Sequence, residues 1–327
     1  MGQAPETEDE NVIGYGQVLM HLKHAQISAD QIGDKATVAL IEMLQRLCLT
    51  RARVNSTSMT QTEPLVPGQA SVASLTVHLF GTFQVFLNGT PINGWRKKSE
   101  AVFKYLIVHR TAPVHREKLF ELFWPDSDSQ SARNCLNVTL HALRQSLQPN
   151  GTSNIMDSLV QFADDCYYLH PRLSVWTDTN TFTDYITLSQ LALKRGDKAD
   201  ALSHYEMAAA LYRGHFLEND YYEEWTISYR EGLQSANMSL LTQLSQLYFE
   251  SGDYTTALER SRKILEYDNC NEDAHCQIMR CYFALGRRGL ALRQYQICCD
   301  ILTHVLGVLP MDETTRIYEQ IKNGSFG

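Results

Sequence analysis

The chain has 327 residues, of which 44% are hydrophobic and 10% aromatic, and its formal net charge is −8. That composition excludes a disordered chain, and the length suits about two folded domains. No apolar run approaches the roughly 20 residues of a membrane span, and the acidic start MGQAPETEDE lacks the apolar core of a secretory signal. A cytoplasmic protein with no membrane contact is expected. The eight cysteines contain no CxxC pair, and several fall at helix-like apolar positions. Buried reduced thiols are therefore expected rather than zinc ligands or disulfides.

Charge divides the chain. Residues 1–74 carry a net −3, residues 75–176 a net +2, and residues 177–327 a net −7. Only the middle segment is positive, so any surface for a polyanion is expected there. In the first segment, TVALIEMLQRLCL (37–49) has apolar residues at helical spacing. RARVNSTSMTQTEPLVPGQASVAS (51–74) is rich in Ser, Thr, Pro and Gln and reads as a flexible linker.

After the linker, LTVHLFGTFQVFLNGTPI (75–92) alternates as strands do, with turns at Gly81 and at the hairpin dipeptide Asn88-Gly89. Two helical patterns follow, over 97–110 and 114–124, and the second stops before Pro125. Asp126, Ser127, Asp128 and Ser129 offer caps for a third helix, SARNCLNVTLHALRQSL (131–147) in its body. Polar QPNGTSN and a strand pair, LVQFA and CYYLH around Asp164-Asp165, complete the segment. Strands, three helices and a hairpin are the layout of a winged helix-turn-helix with a small sheet ahead of it.

The third helix poses a physical question. From Ser129 to Met156 there is no Asp or Glu, although the chain as a whole is acidic. Leu136, Leu140, Leu143 and Leu147 form one apolar stripe, and Arg133, Asn134, Asn137, His141, Arg144, Gln145 and Gln148 fill an adjoining arc. A merely solvated face mixes Glu with Lys. This arc holds donors and amides without carboxylates, the set that reads purine edges or holds phosphate. Arg133, Asn134, Asn137, His141 and Arg144 are the candidate contacts. WRKKSE (95–100) places Arg96, Lys97 and Lys98 at a helix start, where cations oppose the helix dipole and suit an external phosphate.

The last segment changes character. GDKADAL (196–202), GDYTTAL (252–258) and GRRGLAL (286–292) share one pattern, and the second and third glycines are 34 residues apart, the tetratricopeptide period. The longer first interval holds an insertion that includes RGHFLENDYYEEW (213–225). Glycine ends the first helix of such a pair, and the small Ala lets the second pack closely. The fold class expected is mainly α: a winged helix-turn-helix with small β-sheets, then an all-α tetratricopeptide-like repeat domain. The corresponding parts are 1–74 (N-terminal helical segment and linker), 75–176 and 177–327. Enzyme motifs are missing: GxSxG, HExxH, DxDxDG, GxxxxGK[ST] and dinucleotide loops do not occur. No catalytic residue, metal or cofactor is expected. His204, His215 and His275 read as packing or surface residues, and Tyr221, Tyr222 and Trp225 as core of the insertion.

These stretches together resemble the SARP-type bacterial transcriptional activators. The resemblance covers about 75–322 and rests on LFGTFQVFLNG, HREKLFELFWPD (115–126), ARNCLNVTLHALRQSL, YYLHPRLSVWTDTNTF (167–182), LYRGHFL (211–217), ALGRRGLALRQYQ (284–296) and LGVLP (306–310). It implies an OmpR-type winged helix with the third helix in the major groove, followed by a bacterial transcriptional activation domain. It further implies double-stranded DNA as partner, direct repeats bound as a tandem homodimer, and RNA polymerase met through the loop carrying Trp124, Asp126 and Asp128. The acidic wing turn, Asp164-Asp165, departs from the pattern and argues against insertion of the wing tip, while Arg172 at its base can still reach phosphate. A protein or small-molecule effector would act on the repeat domain. The competing reading is an interaction scaffold of helical repeats whose winged helix docks protein.

Overall fold

A computed structural model describes residues 74–147, 159–170 and 173–324. The helix expected at 37–49 and nearly all of the linker lie outside them. Strands β1 (Ser74–His78) and β2 (Gln84–Leu87) pair antiparallel, with Leu75 opposite Leu87 and Val77 opposite Val85, all four buried. Asn88 and Gly89, at φ 49° and 81°, form the two-residue turn into β3 (Thr90–Pro91). On the other side of β1 lies β7 (Ser174–Thr177), parallel to it, giving the order β3-β2-β1-β7.

Between β3 and β7 lie helices α1 (Lys97–Val108), α2 (Arg116–Phe123) and α3 (Ser129–Ser146). The pattern read as one helix over 114–124 divides. Val114–His115 is a strand, β4, and His115 then caps α2 by accepting from the Glu117 amide. Strands β5 (Val160–Ala163) and β6 (Cys166–Leu169) form the wing, with β4 as third strand on β6. Its turn residues Asp164 and Asp165 both have positive φ, 49° and 61°. One core joins the sheets and helices through Leu75, Val77, Phe103, Leu106, Leu119, Leu136 and Leu143.

The repeat segment pairs α4 (Asp178–Lys194) with α5 (Lys198–Leu211), α6 (Glu224–Glu250) with α7 (Tyr254–Tyr267), and α8 (Glu272–Ala284) with α9 (Arg288–Ile301). A π turn, Leu302–Leu306, and α10 (Asp312–Asn323) follow. Gly196, Gly252 and Gly286 take positive φ where the first helix of each pair stops. Ala201, Ala257 and Ala291 are fully buried in the second helices. Asp197 and Asp253 cap α5 and α7, accepting from the amides of Asp200 and Thr256. The expected tetratricopeptide-like pattern is the observed one.

The two segments meet through backbone as much as side chain. Asp178, at the start of α4, is fully buried and accepts from the amides of Leu79 (2.8 Å) and Phe80 (3.1 Å). The loop after α5 pairs with the end of β1: Gly81 N–H donates to His215 O (2.9 Å), and Leu217 N–H to Leu79 O (2.8 Å). A Cβ at Gly214 would stand 2.9 Å from the Cα of Gly81, so this approach requires glycine. Lys104 of α1 is buried and ion-paired to Glu100 (2.5 Å) and to Asp220 of the loop (2.7 Å).

Two expectations fail here. Tyr221 and Tyr222 are not core of the insertion but exposed, at 65% and 93%. The reason is that the loop is anchored by its backbone: buried Arg230 donates to the carbonyls of Phe216, Asp220 and Tyr221. Trp225 alone packs inward, its ring 5.2 Å from that of Tyr105. Among the described cysteines all are free. Burial pushes the thiols of Cys281 and Cys298 up to about 12, but Cys135 is exposed on α3 rather than buried.

Candidate nucleic-acid interface

The acid-free helix is α3, and its start is set by Asp128. That carboxylate accepts from the Ser131 hydroxyl (2.7 Å) and from the amides of Ser131 and Gln130 (3.0 Å each), which holds its carboxyl below the usual carboxylate range. A carboxylate at a helix N-terminus also complements the dipole. Beyond this cap the helix carries no acid. Ala132, Leu136, Thr139, Leu140 and Leu143 face the core. The Ser99 hydroxyl of α1 donates to Thr139 O (3.1 Å) and ties the two helices together.

Arg133, Asn134, Asn137 and His141 are exposed on the opposite side, as the spacing predicts. Val138 and Cys135 share that surface, giving it two apolar groups among the polar ones. Arg144 differs from the other four. It is half-buried and turns to a groove beside the wing, which it lines with Arg116, Phe120, Arg133, Asn137, Leu140, Phe162 and Tyr167. The groove encloses about 440 Å³. Arg116, at the first position of α2, reaches Asp165 of the wing turn at 2.8 Å, so one of the two turn carboxylates is already balanced. Burial pushes the Tyr167 phenol up, opposed by the charges of Arg144, Arg116 and Arg133.

The cluster at the start of α1 is divided as well. Arg96 and Lys97 are exposed, and Arg96 flanks a shallow groove with Gln145 and Ser146 near the end of α3. Lys98 has an internal partner: its ammonium donates to Phe123 O (2.9 Å), a carbonyl at the end of α2 where the helix itself supplies no donor. In the loop from α2 to α3, Trp124 is half-buried against the core, Asp126 is exposed, and Asp128 is the cap already described. Arg172 lies outside the described residues. Arg116 was not singled out from sequence, because the wing residue that meets it is remote in the chain. Its one signal is its place as the first residue of the helix in HREKLF.

Among the described residues no cluster of His, Cys, Asp and Glu could hold a metal ion, and no helix is long and apolar enough to cross a membrane.

Residues 177–322 match the family model of the bacterial transcriptional activator domain. No curated protein matches the chain. Among solved structures, Mycobacterium tuberculosis EmbR in complex with a low-affinity phosphopeptide is similar with a TM-score of 0.67 and 20% identity, over 78% of this chain and 66% of that one. The chain thus spans a little under two thirds of that structure's length. The C-terminal TPR-containing domain of a Plasmodium falciparum FK506-binding protein matches at TM-score 0.35 and 15% identity, over 45% of this chain and 89% of that one. The Arabidopsis OM64 TPR domain matches at 0.32 and 12%, over 45% and 98%. Residues 177–322 thus match a bacterial transcriptional activator domain, and they follow a segment folded as a winged helix-turn-helix.

Proposed function

We propose that the protein is a sequence-specific DNA-binding transcriptional activator, with α3 in the major groove and the repeat domain as its protein-contacting part. The carrying observation is the exposed, carboxylate-free face of α3, seated on a leucine stripe that fixes which side chains point outward. Asn137 and His141 are central on that face and suit base edges. Arg133 and Asn134 lie nearer the end where the backbone would pass, and Arg96 and Lys97 are free to meet phosphate. Binding to direct repeats as a homodimer, and contact with RNA polymerase through the loop at Trp124, Asp126 and Asp128, belong to the same proposal, as does a cytoplasmic, nucleoid-associated location. EmbR's complex with a phosphopeptide supports looking for a peptide effector here too, although this chain is shorter than EmbR.

The test is affinity for a promoter-derived site against random duplex, the site being defined by footprinting with the full chain. Asn137→Ala should weaken the cognate complex by roughly 1–3 kcal/mol and the random one much less. If the wild-type chain binds no duplex at low salt, the scaffold reading, in which the winged helix docks protein, replaces this one.

A further inference from the structure

We infer that the groove between α3 and the wing seats one backbone phosphate, held by Arg116 and Arg144, and that Asp165 occupies Arg116 in its place when no DNA is bound. The inference rests on the reading of α3 as the DNA-facing helix and extends it to a residue outside that helix.

Three observations meet in this groove. The Nε atoms of Arg116 and Arg144 are both shielded from solvent and lack a hydrogen-bond partner. A shielded charged donor without an acceptor is costly, so the site gains from any anion that supplies one. Next, three guanidinium groups, Arg116, Arg133 and Arg144, act together on the Tyr167 phenol, which places them around one space. The acids near that space are Asp165, paired with Arg116 at 2.8 Å, and Glu117, whose carboxylate stands 3.4 Å from the Arg116 Nε without bonding geometry. Three cations against two carboxylates leave the groove positive. Finally, the floor is apolar, formed by Phe120 and Leu140, so hydrogen bonds made above it are poorly screened by water.

Guanidinium recognises phosphate and carboxylate through the same planar fork. Asp165 is therefore a chemical stand-in for phosphate at Arg116. The exchange leaves the wing turn close to the backbone without placing its two acids in a minor groove. Arg144 then serves the backbone rather than a base, and Arg116 becomes a DNA ligand contributed by α2.

Fluorescence anisotropy of the full chain on a random-sequence duplex, over a salt series, tests this with Arg116→Gln, Arg144→Gln, Asp165→Asn and the Arg116→Gln/Asp165→Asn pair. Each arginine variant should lower the log–log salt slope by roughly 0.9. Each should also weaken binding about tenfold on cognate and random duplex alike. Asp165→Asn should tighten binding, and that gain should vanish in the Arg116→Gln background. Unchanged slopes in both arginine variants overturn the inference while leaving salt-dependent binding by the wild type, and hence the proposed function, intact. Loss confined to the cognate duplex in Arg144→Gln also overturns it, since Arg144 would then read a base. If Arg116→Gln fails to fold by circular dichroism, Arg144→Gln and Asp165→Asn decide: an unchanged slope in the first, or no tightening in the second, rejects the phosphate seat.

Discussion

Helices α3 and α10 are both amphipathic, and both bury one stripe and expose another, yet their outer faces are built on opposite rules. In α10 the exposed charges answer one another: Glu313 pairs with Arg316, and Lys322 with Glu319. Its acids Asp312 and Glu313 sit in the first turn and Lys322 in the last, each complementing the dipole. In α3 the exposed cations have no acid on their own helix beyond the cap. A solvated face balances itself within the helix. The face of α3 leaves its balance to something outside the helix, and the same contrast separates the positive winged-helix segment from the acidic repeats. The comparison teaches that absent carboxylates carry more information than present cations, because Lys98 and Lys104 are cations too, and both have internal partners.

The largest way to break the comparison is to remove the seat of α3. Leu140→Ala should destabilise the chain by roughly 2–5 kcal/mol in urea unfolding and lose cognate and random DNA together. Lys104→Met sharpens it next. A buried cation with internal partners should matter to folding and not to DNA. Because Asp220 and Glu100 keep 20% and 30% side-chain exposure, the loss should be about 2–3 kcal/mol, below that for a fully buried pair, with the salt slope unchanged.

A third prediction concerns the repeats and pH. His275 is buried, with Nε2 donating to Asn269 O (3.0 Å) and Nδ1 accepting from the Gln294 amide (2.7 Å). Burial holds its imidazole below the ordinary value, and burial does the same for His78. The unfolded chain then binds these protons more readily than the folded one. This stability is present above about pH 6.5, the unfolded value, and is lost as pH falls from there through the lowered folded value. Free energies of unfolding at about pH 7.5 and about pH 5.5 should differ by on the order of 1 kcal/mol, and His275→Gln should shrink the difference. The smallest effect belongs to α10. Arg316→Ala removes an exposed pair and should change stability by less than about 0.5 kcal/mol, with DNA affinity unaltered.

What was legible in the sequence was local. The turn at Asn88-Gly89, the cap candidates around Asp128, the stripe of α3 and the glycines of the repeats each act within a few residues, and each appears where its chemistry placed it. The contacts that were not legible join distant parts. Glu100 is a near neighbour of Lys104, but nothing near it announces that its second acid partner lies in a loop after α5, and nothing near Asp178 announces that it will accept from Leu79 and Phe80. Arg116 was missed for the same reason, since its partner is in the wing. Periodicity reports which face of an element is buried, but not which other element covers it. The exposure of Tyr221 and Tyr222 likewise followed from Arg230, a residue in the next helix.

The strand β7 has a practical consequence for anyone who divides this chain. It lies in the first sheet beside β1, yet it runs straight into the first helix of the repeats, and the activator-domain match begins at its final residue, Thr177. A fragment ending at 176 would cut the strand before its last residue and discard Asp178, leaving the amides of Leu79 and Phe80 without their acceptor. A fragment beginning at 177 would keep Asp178 but lose the Leu79 and Phe80 amides that cover and hold its carboxylate. The joint is a tenon shared by both pieces, and a clean saw-cut through it spoils each of them.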